Sequence, residues 1–511
     1  MKRFFRNHRS PVRHAILLVL FLLLILPGRA VAEEKWYRIE TVLHIHSRYS
    51  YRGKLTPEQI VKNAKEKGIR AIIFTDEALA KISYGLFPFR RVLSISVQKD
   101  SVFKKGLHRY LKEIEELNRK YPDLLVMAAV EVAPFYYWER SPLTSHGVVR
   151  DWSKHLLVMG LDEKGYRSLP LVGNGLLPLS PFRIKDLFRL WGALVALSGI
   201  FCLRKRAFDY RDEKGRTLGP PSPFFQRLGW MLMVVGALSL VENYPYRESA
   251  TSIYGAEGKI LPYQRLIDDV RKKGGLVFWA HPEAKTIPHV FGPENFPVTF
   301  LTNPYPEALL ETKNYMGFAI FFEGFKTIGP PGGIWDQLLL AFCRGERPNP
   351  IWAIGELDYT EEGRSATWID TVKTILFVKE KSKAALLETL REGRMVAVRR
   401  SREGEIIFGH FWVEDTKTGR RARLGETLLV EGSPRVNFSL SFKGSVPPSQ
   451  IRLIRNGEII QEWKETLPVG KAYEDSSAKE GVSYYRLEVQ SGNGDLVATN
   501  PIFVSRKEIK G

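Results

Sequence analysis

Between residues 36 and 186 the chain alternates short apolar runs with amphipathic stretches, the pattern of helices packed on a sheet. In KLTPEQIVKNAKEKGIRAIIFTDEA, Thr56 is placed to cap a helix, Pro57 takes its first position and Glu58 puts an acid in its first turn. Gly68 closes that helix before the strand IRAIIFT. The same unit recurs in LHRYLKEIEELNRKYPDLLVMAAVEV and in LPYQRLIDDVRKKGGLVFWAHP, where Gly274 and Gly275 end the helix. Repeated helix-strand units predict an α/β fold with a mostly parallel sheet, open or closed into a barrel.

Two uncharged stretches, residues 190–203 and 228–241, break the pattern at 14 residues each. A 14-residue helix reaches about 21 Å at about 1.5 Å per residue, short of the roughly 30 Å of a bilayer's hydrocarbon core. Trp191, Trp230 and Tyr244 stand near the ends, and Arg204, Lys205 and Arg206 follow the first stretch, as the positive-inside rule would place them. The reading is a transmembrane or re-entrant hairpin; the alternative is a hydrophobic hairpin packed on the core. Past residue 400, EIIFGHFWVED, RVNFSLSFK, IRLIRNGEII and SYYRLEVQ are β-rich runs separated by turns such as Asn456-Gly457. These predict a small immunoglobulin-like β-sandwich over residues 405–508.

Residues 1–32 join a basic start, an apolar run over 15–26, the breaker Pro27-Gly28 and Ala30-Val31-Ala32. This is a secretory signal cleaved after Ala32, or an uncleaved anchor. The expected location is therefore extracytoplasmic, periplasmic or at the cell surface, and membrane-associated. Of the net charge of +20, six basic residues belong to this segment, which leaves +14 for the rest. Such a surplus attracts anions. Nucleic acid is not the expected partner, because the basic residues are dispersed and the export segment points away from the cytoplasm. Two cysteines, Cys202 and Cys343, imply no disulfide framework.

The chemistry lies in six residues, most of them just after an apolar run: His44 and His46 in LHIHS, Glu131 in AAVEVAP, His155 in KHLLVMGL, His281 in FWAHPEA and Asp358 in GELDYT. Ligands at strand carboxyl ends point into the mouth of an α/β fold. A His-x-His pair on a strand puts both imidazoles on one side, since side chains alternate with period two. Asp76 is either a partner orienting a ligand imidazole or a cap at the strand end. Arg48 and Arg52 are candidates for holding an anionic substrate, or solvated loop charges. No glycine-rich phosphate loop, Gly-x-Ser-x-Gly elbow or cysteine nucleophile appears, which leaves metal-activated water as the visible catalyst.

In order and type, LHIHS, IIFTDEA, the Glu of VEV, His-Leu, Ala-His-Pro and the Asp of GELDYT resemble the motifs of the PHP family, named for polymerase and histidinol phosphatase domains. The resemblance covers about residues 38–398, and the β-rich tail resembles the metallohydrolase branch with a C-terminal immunoglobulin-like module. It implies a distorted (β/α)7 barrel in two parts, residues 33–186 and 246–400, interrupted by the hairpin at 187–245 and followed by the sandwich. It also implies one metal on His44, His46, Glu131 and Asp358, and a second on the same Glu131, His155 and His281. GELDYT carries an extra residue after Gly355, so Glu356 rivals Asp358 as ligand. The third-site positions hold Tyr51, Glu77 and Thr360, so that site is absent or weak. The expectation is a hydrolase with two divalent ions, Zn, Mn or Fe, acting on a small anionic phosphoester, with Asp76, Glu77 and Arg52 as further catalytic candidates. Rival readings are a degenerate domain that binds without turnover and an amide or ester hydrolase.

Overall fold

The structure is a computed structural model that describes residues 36–506, apart from 144–145, 175–181, 208–212, 215–218, 247–250, 256–257, 286–288, 292–296, 322 and 365–366. The export segment read in residues 1–32 lies outside the described residues.

Strand β1 (Tyr37–Ile45) is followed by helix α1 (Pro57–Glu66), whose capping box is complete: the Gln59 amide donates to Thr56 Oγ1 and the Thr56 amide to Gln59 Oε1. Gly68, at φ +79°, turns the chain into β2 (Ala71–Phe74), which pairs parallel with β1. A two-stranded ribbon, β3 (Lys81–Gly85) and β4 (Ser94–Gln98), comes next, then α2 (Leu107–Lys120) and β5 (Leu125–Val132). Strands β6 (Tyr137–Arg140), β7 (Gly147–Arg150) and β8 (Leu156–Met159) complete the first part. After the hairpin, α3 (Trp191–Leu203) and α4 (Pro223–Asn243), the second part begins with α5 (Leu261–Lys272) and β9 (Leu276–Trp279). It continues with β10 (His289–Phe291), β11 (Val298–Leu301), β12 (Gly317–Phe321), α6 (Ile334–Cys343) and β13 (Trp352–Gly355). Strand β14 (Val372–Val378), α7 (Lys383–Glu392) and β15 (Met395–Arg399) close it.

The strands assemble in the order β13-β12-β9-β8-β5-β2-β1-β14-β15. The sheet curls until β13 returns to β14, where the Thr374 hydroxyl donates to the Gly355 carbonyl and accepts from its amide. The expectation of a mostly parallel sheet needs correction. Pairing is parallel through β1-β2-β5 and β9-β12-β13, but β8 is antiparallel to both neighbours, as are β14 to β1 and β15 to β14. Between β5 and β8 the chain has no crossover helix, which parallel neighbours require. It instead builds β6 and β7 into a small separate sheet with β11 and β10. That sheet and the β3-β4 ribbon enclose an aromatic core with Tyr136, Trp138, Trp152 and Phe300. Most of PFYYWER is therefore packing, with Phe135, Tyr136 and Trp138 all buried.

The hairpin helices are longer than the uncharged stretches that mark them. With the preceding 3-10 turn the first runs over Ile184–Leu203, 20 residues, and the second over Pro223–Asn243, 21 residues. At about 1.5 Å per residue the second spans about 31 Å, so length no longer argues against a membrane crossing. The helices meet along glycines at heptad spacing: a Cβ on Gly199 would lie 2.7 Å from the Gly229 carbonyl oxygen, and one on Gly236 would lie 2.6 Å from that of Gly192. Leu194, Phe201, Trp230 and Val234 point outward, exposed.

The remaining strands are β16 (Gly404–Asp415), β17 (Arg421–Ala422), β18 (Thr427–Val430), β19 (Pro434–Gly444), β20 (Ser449–Arg455), β21 (Glu458–Glu465), β22 (Val469–Glu474), β23 (Gly481–Ser491), β24 (Leu496–Thr499) and β25 (Ile502–Arg506). One sheet is β17-β16-β19-β22; the other contains β24-β23-β20-β21, and β24 pairs antiparallel with β15. The α/β sheet and this second sheet are thus one continuous surface, and Ile375, Val396 and Val398 share a core with Phe408, Phe438 and Leu487. Asn456 and Gly457, both at positive φ, make the β20-β21 turn. A buried pair fastens the two regions: Arg486 on β23 gives Asp336 on α6 two bonds, of 2.6 and 2.8 Å, and Tyr484 donates a third.

Candidate metal centre

Parallel pairing sends the carboxyl ends of β1, β2, β5, β9 and β13 to one rim. Strand β8 runs the other way, so its start lies at that rim, and His155, which precedes its apolar run, arrives beside residues that follow theirs. All six ligand candidates meet there. Glu131 Oε1 is 3.0 Å from His44 Nε2, 2.6 Å from His155 Nδ1 and 3.3 Å from His281 Nε2. Its Oε2 is 3.5 Å from His46 Nε2. Asp358 Oδ1 is 3.0 Å from His46 Nε2 and 3.7 Å from His44 Nε2.

Period-two alternation on β1 does not by itself bring the His-x-His pair together. Register with β2 slips between Leu43 and Ile45, and His44 sits at φ +64°. It is this irregularity, and not period-two alternation alone, that brings both rings to Glu131. His281 and Asp358 also have positive φ, +27° and +47°. Such conformations cost non-glycine residues about 1–3 kcal/mol each and persist where surrounding structure imposes them.

Hydrogen bonds fix which ring nitrogen is left for a ligand. His44 Nδ1 donates to Glu356 Oε2 at 2.7 Å. His46 Nδ1 lies 3.0 Å from the Ser50 hydroxyl, which itself donates to Asp76, and 3.2 Å from Glu77 Oε2. His281 Nδ1 lies 3.2 Å from the Tyr305 hydroxyl, which donates to the Ala280 carbonyl. In each case Nδ1 has a partner away from the cluster and Nε2 faces it, so Nε2 is the atom a metal would take on loss of its proton. His155 alone presents Nδ1 inward.

Glu356 is not a rival ligand in this geometry. Its two oxygens are taken by His44 Nδ1 and, at 2.5 Å, by the His281 amide. Asp358 Oδ2 is held by Arg52 at 2.6 Å, which turns Oδ1 toward the histidines. Asp76 does not reach the cluster; it accepts from the Ser47 amide and from the Ser47 and Ser50 hydroxyls, and so acts on His46 through Ser50. Arg48 points away and pairs with Glu113. Among the described residues, the ligand groups close enough to share one ion are His44, His46 and Glu131, and Glu131, His155 and His281; Asp358, expected as a ligand of the first ion, and Glu77 belong to neither. Of the other third-site positions, Thr360 accepts from Arg364 and Tyr51 lies under Lys99. Sequence reasoning missed Tyr305, Ser47 and Ser50, and nothing in NPYPEALL or HSRYS marks them as partners of distant ligands.

The charges are arranged for a cation. Burial pushes the His44 imidazole down, yet Glu356 and Glu131 outweigh it and hold its pKa well above the usual histidine value. His46 is likewise lowered by burial and carried up to about 10 by Glu77 and Asp358. Burial would raise Glu131, but His155 and His44 hold it well below the ordinary carboxylate range. Asp358 is held low against burial by Arg52 and His46. Asp76 is pushed up to about 6 by burial despite His46 and its serine bonds. His44 Nε2, His46 Nε2, Glu131 Oε2 and Asp358 Oδ1 are buried and make no hydrogen bond. Buried polar atoms normally find partners, and imidazoles gathered around carboxylates in this way are the donor set of a divalent metal.

A curled α/β sheet with this cluster at its rim defines the chain as a metal-site protein of the α/β class. The family model for the PHP domain matches residues 43–171, and the chain carries that domain. The matched stretch holds His44, His46, Glu131 and His155, while His281 joins them from beyond it and Asp358 lies 3.0 Å from His46. Among solved structures, a two-domain protein from Bacteroides vulgatus ATCC 8482, described as containing a predicted PHP-like metal-dependent phosphoesterase, is similar over 90% of this chain and 92% of its own, at 11% identity and a TM-score of 0.34. An amidohydrolase from Chromobacterium violaceum with bound sulfate and no metal is similar over 64% of this chain and 89% of its own, at 15% identity and a TM-score of 0.26. None of the curated proteins compared matches the chain.

Proposed function

We propose that the chain is a metal-dependent phosphoesterase with a binuclear centre, held in a membrane by α3 and α4 with its site outside the cytoplasm. The observation that supports this most is Glu131, shared between the His44/His46 pair and the His155/His281 pair, with buried ligand atoms that bond to nothing else. Two divalent ions of the Zn, Mn or Fe type suit such donors, and when bound they would bring water's pKa toward neutrality and polarise a phosphoryl oxygen. The chain's own residues do the rest. Arg52, fixed on Asp358, offers its other N–H groups to the phosphoryl oxygens of an anionic substrate. Glu77, with Oε2 3.2 Å from His46 Nδ1 and its burial offset by that imidazole, accepts a hydrogen bond from the attacking water at Oε1 and orients it. Asp76, through Ser50, keeps His46 in its ligating tautomer.

The test uses the full chain extracted in detergent, with metal content by plasma spectrometry and turnover of p-nitrophenyl phosphate and a panel of phosphodiesters with added Mn or Zn. Metal-dependent release of the alcohol is expected. A metal-loaded protein that turns over none of them overturns the phosphoesterase reading. Retention of the chain in carbonate-washed membranes checks the anchor.

A further inference from the structure

The end of the hairpin where α3 begins and α4 finishes is collared by exposed apolar and cationic side chains. Phe87 is 83% exposed, Ile184 83% and Phe188 81%, and Trp191 starts α3 beside them. Arg91, exposed, sits in the same loop as Phe87, where Arg90 is half-buried with its guanidinium 3.9 Å from the Tyr254 ring. That loop is the tip of the β3-β4 ribbon and is tied to the hairpin: the Arg91 and Val92 amides donate to Glu242 in the last turn of α4, at 2.8 and 3.2 Å. A soluble surface seldom leaves such side chains together in water, whereas aromatic and basic residues flanking apolar helices suit the headgroup layer.

The other end of the ribbon is the rim of the metal centre. The ribbon leaves the chain just after Glu77 and returns where the Val102 amide donates to the Glu77 carbonyl and the Lys99 amide to that of Ala80. The five-residue strands alone, at about 3.3 Å per residue, account for about 17 Å between rim and collar. A phosphate next to a lipid's glycerol would stay near the collar and fall short of the rim.

We infer that the collar rests on an anionic bilayer and that the substrate is an amphiphile of that bilayer, carrying its phosphoester at the outer end of a polar head about 17 Å long. This rests on the phosphoesterase reading above. In the reaction, water adds its oxygen to phosphorus, the P–O ester bond breaks, and the leaving oxygen takes a proton from that water.

The experiment places the full chain in nanodiscs with one-third phosphatidylglycerol and added Mn. Phe87→Cys and, as a control on the sandwich, Ile459→Cys are made in a Cys202→Ser, Cys343→Ser background, labelled with an environment-sensitive dye and exposed to headgroup-nitroxide lipids. Quenching at position 87 and none at 459 is expected; no quenching at 87 overturns the inference. Two umbelliferyl phosphates are then compared at equal bulk concentration, one on a lipid through a polar spacer of that length and one without a tail. The lipid-borne ester should turn over about ten-fold faster or more, through its local concentration. If the tail-less ester is cleaved as fast or faster, the substrate class is wrong and the phosphoesterase reading stands. If neither is cleaved by metal-loaded protein, both fall.

Discussion

Replacing Glu356 by glutamine changes one atom of a fully buried carboxylate and should disarm a ligand that it does not touch at the ligating nitrogen. The His281 amide can only donate, so the glutamine oxygen must stay opposite it, where Glu356 Oε1 now lies at 2.5 Å. The glutamine NH2 then faces His44 Nδ1, which must accept, and the imidazole proton moves to Nε2, the atom turned to Glu131 and Asp358. A hydrogen bond to a charged group is worth about 1.5–3 kcal/mol, and losing the partner of a metal-bound imidazole commonly costs about 10- to 100-fold in affinity. We expect a loss in that range, with a smaller loss of metal-free stability than Glu356→Ala because every buried group keeps a partner, although the charged bond to His44 becomes a neutral one. Glu356→Ala should show the opposite balance. It strands the buried His281 amide at about 1–3 kcal/mol, yet leaves His44 free to choose its tautomer, so it should lose less metal affinity than Glu356→Gln. Competition with a chelating dye measures affinity, and urea unfolding of the metal-free proteins measures stability. A Glu356→Gln protein that binds metal like the parent, or better than Glu356→Ala does, would refute the reasoning.

Three further outcomes are expected. Glu131→Ala should bring metal content close to zero, whereas His281→Ala should roughly halve it, both read by plasma spectrometry on protein whose circular dichroism is unchanged. Asp336→Ala leaves Arg486 buried without its carboxylate and should cost about 3–5 kcal/mol in chemical denaturation, while the double variant Asp336→Leu with Arg486→Met recovers most of that. The folded pKa of His46, about 10, lies above its ordinary 6.5, so in metal-free protein its contribution is fully present below pH 6.5 and is lost as pH rises through about 10. Melting temperature in EDTA should therefore fall across that window, and much less so in metal-loaded protein, where the imidazole has already given up its proton.

Local rules were readable from the chain. The capping box at Thr56 and Gln59, the glycine after α1 and the Asn456-Gly457 turn depend on neighbours in sequence, and the structure shows each formed where those residues stand. Hairpin length was misjudged because charge was taken to end a helix. Lys185, Asp186, Arg189 and Arg227 lie within the helical stretches all the same, since Lys185 and Arg227 turn their heads to solvent and buried Asp186 accepts from the Arg183 amide at the start of the turn. The share of parallel pairing was overestimated, because periodicity marks a strand without saying which way it runs.

What the sequence determined by itself is the inventory: which imidazoles and carboxylates stand at the ends of apolar runs, and where helices start and stop, because those depend on covalent spacing. Only the tertiary structure decided that β8 runs backward to deliver His155, that Glu356 supports His44 while Asp358 faces the cluster, and that the β-rich tail continues the α/β sheet. These are choices between side chains hundreds of positions apart, set by which strand edges pair and which buried donors need an acceptor, and no local pattern encodes them.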